Sequence, residues 1–224
     1  MKPCDAVFFD LDGTLLDTLE DLWAAVNATM RQFGCPERTL GEVRQAVGNG
    51  VNRLLELVLP AGREDPRFDE IVRFYRAYYA EHAEIATRPY PGLPSLLSEL
   101  KARGIPTAVV SNKPDATTVR LCAEFFPDAS LAVGENEAAG IRRKPAPDMV
   151  LHAAGTLGVD PSSCVYVGDS EVDLETARAA GMPCVSVLWG FRDRDTLASA
   201  GATRFARDAG ELAAILLGSG ERFD

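Results

Sequence analysis

The sequence reads Val7-Phe8-Phe9-Asp10-Leu11-Asp12-Gly13-Thr14-Leu15 near its amino terminus. The apolar run Val7–Phe9 is typical of the end of a buried strand, and it stops at a carboxylate. Asp10 and Asp12 are two residues apart, so an extended backbone would point both side chains to the same side. Gly13 permits a tight turn, which leaves both carboxylates at the strand's carboxyl end, where ligands bind in open α/β sheets. Aspartate and glycine are also ordinary turn residues, so these types alone fit a plain turn equally well.

The composition is that of an ordinary globular protein, with 46% hydrophobic and 25% charged residues in a chain of 224. This length suffices for one large domain or two smaller ones. The net charge of −10 disfavours nonspecific binding to nucleic acids or to anionic membranes. We therefore expect no nucleic-acid partner and no membrane partner, and any phosphate ligand must be held by local cations.

Five scattered cysteines with no C-x-x-C pair indicate neither a disulfide framework nor a structural zinc site. They are expected to be free thiols in a reducing cytosol. The first predicted strand begins within a few residues of Met1, so we expect no signal peptide. No apolar run approaches the roughly 18 residues that a membrane span needs. The sequence therefore predicts a cytoplasmic protein.

Residues 16–86 carry apolar side chains at three- and four-residue spacing, which predicts an all-helical segment without strands. Thr18 with Asp21, and Thr39 with Glu42, resemble capping boxes at the starts of two of its helices. Gly48-Asn49-Gly50 separates the second helix from the third. The fourth carries an aromatic stripe that we interpret as the core of this segment.

From Arg88-Pro89-Tyr90-Pro91-Gly92 onward, helices alternate with short apolar strands. Such a series predicts a doubly wound parallel sheet, an α/β fold. We assign residues 1–15 and 87–224 to this α/β core and residues 16–86 to the helical insert. The strands predicted after the insert are Thr107–Val110, Leu131–Val133, Cys164–Val167, Cys184–Leu188 and Thr203–Ala206.

Four segments at the predicted strand ends carry reactive polar residues. Strand ends of one parallel sheet meet at one edge, so we expect these groups to share a site. In chain order they are Asp10/Asp12, Ser111/Asn112, the loop around Lys144, and Asp169/Asp173. Together they resemble the four motifs of the haloacid dehalogenase superfamily over nearly the whole chain.

This resemblance implies a Rossmann-like core with a small helical cap of the C1 type inserted after the first strand. It also implies a phosphomonoesterase in which Asp10 attacks phosphorus and forms an aspartyl-phosphate. Asp12 would protonate the leaving oxygen and then activate water. Mg²⁺ would be held by Asp10, Asp169 and the backbone carbonyl of Asp12.

The same resemblance assigns phosphate binding to Ser111, Asn112 and Lys144. Asp173, four residues after Asp169, suits indirect support of the metal; a solvated carboxylate at a helix start is the open alternative. The simple dehalogenases of the superfamily lack the second aspartate, Asp12. Its phosphonatases use a cap lysine, whereas the four lysines of this chain all lie outside the insert, at Lys2, Lys101, Lys113 and Lys144.

The bacterial phosphoglycolate phosphatases are the subfamily that the chain resembles most. The resemblance rests on Val47-Gly48-Asn49-Gly50-Val51, on Arg88–Gly92, and on Ser111-Asn112-Lys113-Pro114. It implies a small phosphorylated metabolite as substrate, foremost 2-phosphoglycolate. Open alternatives are a phosphatase for sugar phosphates, nucleotides or pyrophosphate, a phosphomutase of the β-phosphoglucomutase type, and a non-enzymatic phosphate sensor or scaffold. The chain is expected to be a monomer or a homodimer.

Substrate choice is predicted to involve the insert, through Gly48, Asn49, Gly50 and Arg53. Gly50 is expected near a helix amino terminus, where free N–H groups favour an anion such as the carboxylate of phosphoglycolate. Arg53 would add positive charge one turn later. The alternatives are a flexible turn without a ligand role and a solvated surface arginine.

Overall fold

The computed structural model describes residues 4–218 and divides the chain into two compact units. One unit is Asp17–Arg88, and the other combines the segment up to Leu16 with the chain from Pro89 onward. The division lies within two residues of the predicted limits of the insert. The crossing segments, Leu16–Asp17 and Arg88–Pro89, pair as a two-stranded sheet, a feature that the prediction of a strand-free insert missed.

The secondary structure alternates between helices and strands after the helical unit. In chain order the strands and α-helices are β1 Val7–Phe9, β2 Leu16–Asp17, α1 Leu19–Gln32, α2 Leu40–Ala46, α3 Gly50–Val58, α4 Phe68–His82, β3 Arg88–Pro89, α5 Leu93–Ala102, β4 Thr107–Pro114, α6 Asp115–Phe125, β5 Leu131–Glu135, α7 Asp148–Leu157, β6 Val165–Gly168, α8 Glu171–Ala180, β7 Cys184–Val187, α9 Arg194–Ser199, β8 Phe205–Ala206 and α10 Ala209–Leu217.

The core unit is built on a six-stranded sheet in the order β5-β4-β1-β6-β7-β8. Its strand pairs are parallel, with Val7 opposite Thr107 on one side and Val165 on the other. The chain moves outward from β1 in one direction through β4 and β5, then returns and continues through β6 to β8. This reversal is the switch point of a doubly wound fold, where ligands bind beyond the carboxyl ends of the strands. The predicted α/β class is confirmed.

Strand β1 is buried on both faces, which explains its uninterrupted apolar run. Phe8 joins the cluster that contains Met149 and Ala177, from α7 and α8. Val7 and Phe9 join the opposite cluster, which also contains residues of α5 and α10. The sheet thus carries helices on both faces and places the end of β1 at its centre.

Of the two capping boxes predicted in the helical unit, one is present and one is not. The predicted capping box of Thr39 and Glu42 is present at the start of α2. The one predicted for Thr18 and Asp21 is wrong, because no side-chain capping bond forms there. The Asp21 carboxylate instead accepts hydrogen bonds from the N–H groups of Ala86 and Thr87 and from the Thr87 hydroxyl.

The aromatic stripe of α4 is the core of this unit, as predicted: Phe68, Ile71, Tyr75 and Tyr79 are buried. Tyr78 is half-buried, and its ring stacks on that of His82. Among residues 4–218, no helix combines the length and the apolar character that crossing a bilayer would require.

Candidate active site

Asp10 follows β1 directly and is 8% exposed. Its N–H donates to the carbonyl of Val167 in the neighbouring strand, 2.9 Å away, so the sheet itself fixes the backbone that carries this carboxylate. The next turn requires glycine, because Gly13 has a φ of +81° and a Cβ there would lie 2.3 Å from Oδ2 of Asp169. The segment Asp10–Gly13 is therefore packed directly against Asp169.

Lys144 is the cation at the centre of the site. Its Nζ lies 2.8 Å from Oδ1 of Asp10, 2.8 Å from Oδ1 of Asp173 and 3.0 Å from the Tyr166 hydroxyl. Burial by itself would lower the pKa of Lys144, but attraction to Asp10 and Asp173 raises it well above its usual value. Lys144 is therefore a charged donor whose three protons each have an oxygen to bind.

Asp173 is completely buried, so the alternative of a solvated carboxylate is wrong. Its Oδ2 accepts from the Ser170 hydroxyl at 2.6 Å and from the N–H groups of Ser170 and Asp169 at 3.1 and 3.2 Å. Its Oδ1 is the atom bound by Lys144. Because both oxygens already serve the surrounding protein, the geometry favours the predicted supporting role over direct contact with a metal.

Ser111 and Asn112 lie inside β4, which extends to Pro114 and not to Val110 as predicted. Beyond Val110 the register with β5 is irregular, and pairing resumes at Pro114 with Glu135. The Asn112 side chain accepts a hydrogen bond from the N–H of Lys144 at 2.8 Å and donates one to its carbonyl at 3.0 Å. Asn112 thus fixes the Lys144 backbone. The roles predicted for Ser111 and Asn112 in phosphate binding stay predictions.

Asp12 has a partner that was not predicted, the buried ammonium of Lys113. The distance between Lys113 Nζ and Asp12 Oδ1 is 3.0 Å, and the Lys113 side chain is 3% exposed. The signal that could have found it is the scarcity of lysine, since four of the 23 basic residues are lysines. One of these four, Lys144, was already assigned to the site, and Lys113 directly follows another predicted site residue.

Asp169 follows β6 and is almost fully buried. Its Oδ2 accepts a hydrogen bond of 2.6 Å from the N–H of Phe191, beyond the end of β7. Burial, together with the nearby charges of Asp173 and Asp10, raises the pKa of Asp169 well above its usual value. Phe191 was not predicted as part of the site, because a backbone donor leaves no signal in the sequence.

Asp10, Asp169 and Asp173 each offer one carboxylate oxygen, and these atoms lie within 4.8 Å of one another. Burial raises the pKa of Asp10 to about 7, and Asp173 adds to the shift although Lys144 opposes it. Three carboxylates facing one ammonium leave two formal negative charges, which a divalent cation would neutralise. Asp10 and Asp169 therefore offer buried oxygen ligands that fit Mg²⁺, and Asp173 adds negative charge beside them.

Gly48, Asn49, Gly50 and Arg53 belong to the helical unit. Gly48 and Gly50 have φ values of +125° and +77°, and α3 begins at Gly50 with Asn49 as its N-cap. The predicted helix start is therefore present. Arg53 forms an ion pair of 2.9 Å with Glu56, one turn further along α3. A role of these four residues in substrate choice stays a prediction.

Comparison with known proteins identifies the family. The model of the haloacid dehalogenase-like hydrolases matches residues 7–187, which include the predicted residues of the core site. The chain belongs to this family. The resemblance predicted from the four motifs is therefore confirmed.

Curated relatives of this haloacid dehalogenase-like hydrolase include phosphoglycolate phosphatases. The protein from Neisseria meningitidis is 38% identical over 208 residues, covering 89% of this chain and 86% of the relative. That from Aquifex aeolicus is 34% identical, with 83% and 85% covered. The predicted closeness to this subfamily is confirmed.

A solved structure supports the same family assignment. A Lactobacillus delbrueckii subsp. bulgaricus protein, assigned provisionally as a phosphoglycolate phosphatase, superposes with a TM-score of 0.91 at 36% identity. It covers 98% of this chain, and all of the other chain is covered. The shared fold therefore includes both units of the chain.

Proposed function

We propose that the protein is a Mg²⁺-dependent phosphomonoesterase that acts through an aspartyl-phosphate on a small phosphorylated metabolite, foremost 2-phosphoglycolate. Asp10 and Asp12, at the end of one central strand and each bound to its own buried lysine, support this function most directly. A pure phosphate-binding protein has no need of a second carboxylate beside the first.

In the proposed reaction Asp10 attacks phosphorus and takes the phosphoryl group. Asp12 gives a proton to the leaving oxygen and later removes one from the water that hydrolyses the acyl phosphate. Lys144 holds the Asp10 carboxylate in place and supplies positive charge toward the substrate anion. Ser111 and Asn112 add hydrogen-bond donors for the phosphoryl oxygens.

Asp10, Asp169 and the backbone carbonyl of Asp12 would hold Mg²⁺. When bound, the ion neutralises negative charge on the phosphate and on the carboxylates around it. Asp173 contributes indirectly, because it binds Lys144 and the backbone N–H of Asp169. Its loss would disturb both the cation and the metal ligand.

The substrate part of the proposal draws on the named relatives, which are phosphoglycolate phosphatases covered over most of their length. Release of inorganic phosphate from a panel of metabolites in the presence of Mg²⁺ tests it. The highest kcat/KM is expected for 2-phosphoglycolate. A higher kcat/KM for a sugar phosphate, a nucleotide or pyrophosphate would make that compound the preferred substrate. Conversion of a sugar phosphate to its isomer without phosphate release would indicate a phosphomutase.

A further inference from the structure

We propose that Lys113 is a positioning residue that holds the Asp12 carboxylate in the orientation for proton transfer to the leaving oxygen. This inference rests on the proposed function. It is carried by the ion pair of 3.0 Å between Nζ of buried Lys113 and Oδ1 of partly buried Asp12. Neither the four motifs nor the proposed chemistry assigns Lys113 a task.

The two lysines of the site each form an ion pair with a different one of the two catalytic aspartates. Lys144 binds Asp10, whereas Lys113 binds Asp12. An aspartate side chain has two rotatable bonds, and efficient proton transfer needs its oxygen within hydrogen-bond reach of the leaving group. An ammonium at a fixed position restricts those rotations, so Lys113 can set the direction in which Asp12 points.

Lys113 is itself firmly placed. It lies in β4, where its N–H donates to the Ser111 hydroxyl at 3.2 Å and its carbonyl accepts from the Thr118 hydroxyl at 3.3 Å. Its side chain is 3% exposed and that of Asp12 is 15% exposed. A long cation that is fixed at its backbone and buried along its length has few other orientations open to it.

Stability gives a weak reason for this ion pair. Removing an ammonium and a carboxylate from water costs about as much free energy as their attraction returns, so buried pairs add little net stability. Asp12, the partner of Lys113, is the group that must move a proton in the proposed reaction. The geometry therefore links Lys113 to the leaving-group step.

The leaving group provides a direct test. Phenyl phosphate releases a poor leaving group that needs a proton, whereas 2,4-dinitrophenyl phosphate releases a good one that does not. The parameter kcat/KM reports on steps up to phosphoryl transfer and excludes the later hydrolysis. For Lys113→Met we expect kcat/KM to fall about 10²-fold for phenyl phosphate, the lower end of the usual acid–base contribution, and less than about threefold for the dinitrophenyl ester. Lys113→Arg should recover part of the loss.

A double-mutant cycle on 2-phosphoglycolate gives a second measurement. If Lys113 acts through Asp12, then Lys113→Met should cause no further loss in an Asp12→Ala background. An undiminished loss there would overturn the inference, because Lys113 would then act on the substrate anion itself. Equal losses on the two aryl esters, or no loss on either, would overturn it as well.

Lys101→Met is the matched control, because Lys101 is exposed and pairs with Asp128 on the surface. The Lys101→Met variant should leave kcat/KM for both aryl esters unchanged. If thermal melting shows that Lys113→Met does not fold, Lys113→Arg replaces it, and the same selective loss is expected at smaller size. If the wild-type protein releases phosphate neither from the two aryl esters nor from 2-phosphoglycolate, that result would contradict the proposed function and not the placement of Lys113.

Discussion

The side chain of Asn112 forms two hydrogen bonds with the backbone of Lys144: its Oδ1 accepts from the Lys144 N–H at 2.8 Å, and its Nδ2 donates to the Lys144 carbonyl at 3.0 Å. These bonds join the end of β4 to the loop before α7. They place the Lys144 ammonium between Asp10 and Asp173. Asn112 therefore contributes to the site through the lysine that it fixes, in addition to its predicted contact with phosphate.

Replacing Asn112 by alanine should lower both stability and activity. The variant leaves the N–H and carbonyl of buried Lys144 without these two partners, and an unsatisfied buried group costs about 1–3 kcal/mol. We expect a fall of that size in the free energy of unfolding, measured with urea, together with reduced kcat/KM. Asn136→Ala, at an exposed position, is the control. Unchanged stability would show that the two hydrogen bonds contribute nothing net.

Asp10→Asn should abolish turnover. A neutral amide is a poor nucleophile, and it is also a weaker ligand for Mg²⁺. Calorimetric titration should show weakened Mg²⁺ binding, and phosphate release should disappear. Asp128→Asn, at a surface ion pair, should behave as wild type. Phosphatase activity of the unmodified protein that persists in excess EDTA would contradict the metal-dependent mechanism.

Asp12→Ala should separate acid–base chemistry from metal binding. Loss of the proton-transfer group should lower the rate about 10²–10⁴-fold. Mg²⁺ binding should largely survive, because the expected contact is the backbone carbonyl of Asp12. Rates from phosphate release and affinities from calorimetry check the two halves of this prediction. Near-normal turnover would remove Asp12 from the mechanism.

Gly190→Ala should disturb Asp169. A Cβ at Gly190 would lie 2.3 Å from Cβ and 2.4 Å from Oδ2 of Asp169, so the carboxylate must shift. We expect a loss of about 1–3 kcal/mol in stability, typical of overpacking, with weaker Mg²⁺ binding.

The matched control for this glycine is Gly155→Ala in α7, where a Cβ meets nothing within 4 Å. It should stabilise the protein by about 0.4–1 kcal/mol, because alanine has less backbone freedom to lose on folding. Urea unfolding of both variants measures the difference. Similar effects at the two positions would show that the neighbourhood of Asp169 adapts to the extra methyl group.

Two buried thiols should resist alkylation. Burial raises the pKa values of Cys122 and Cys164 to about 12. The thiolate is the reactive form, so a raised pKa means less of it at pH 8 and a reaction slowed on the order of 10³-fold relative to an ordinary cysteine. Mass spectrometry after treatment with iodoacetamide should find half-buried Cys35 modified first. Rapid labelling of Cys122 in the native protein would contradict its burial.

The fold was predictable where a pattern is repeated along the chain. The apolar run of β1 and the alternation of helices and strands after Arg88 both report on burial, which the sheet then confirms. The far end of β4 was missed because Ser111, Asn112 and Lys113 are polar and precede a proline, which is not how a central strand usually reads. The pairing of Pro114 with Glu135 of β5 extends the strand past them.

In the site, residue types were easier to predict than partners. The carboxylates and Lys144 stand out by type and by position after strands. The contact between Asp21 and Thr87 joins residues 66 positions apart, so no local rule for helix starts can predict it. The same holds for the pairing of Asp12 with Lys113, which depends on β1 and β4 being neighbours. Such pairs follow from tertiary structure.

The central place of β1 has a consequence for how the chain folds during synthesis. Val7 leaves the ribosome before either of its sheet neighbours, Thr107 and Val165. Contacts so distant in sequence form late and slow the folding of a chain. We expect the helical unit to gain its structure first, because β1 can pair only after β4 and β6 have been synthesised. The carboxylate of Asp10 therefore reaches its working position as one of the last events of folding, and a nascent chain released before Val165 would lack a functional centre.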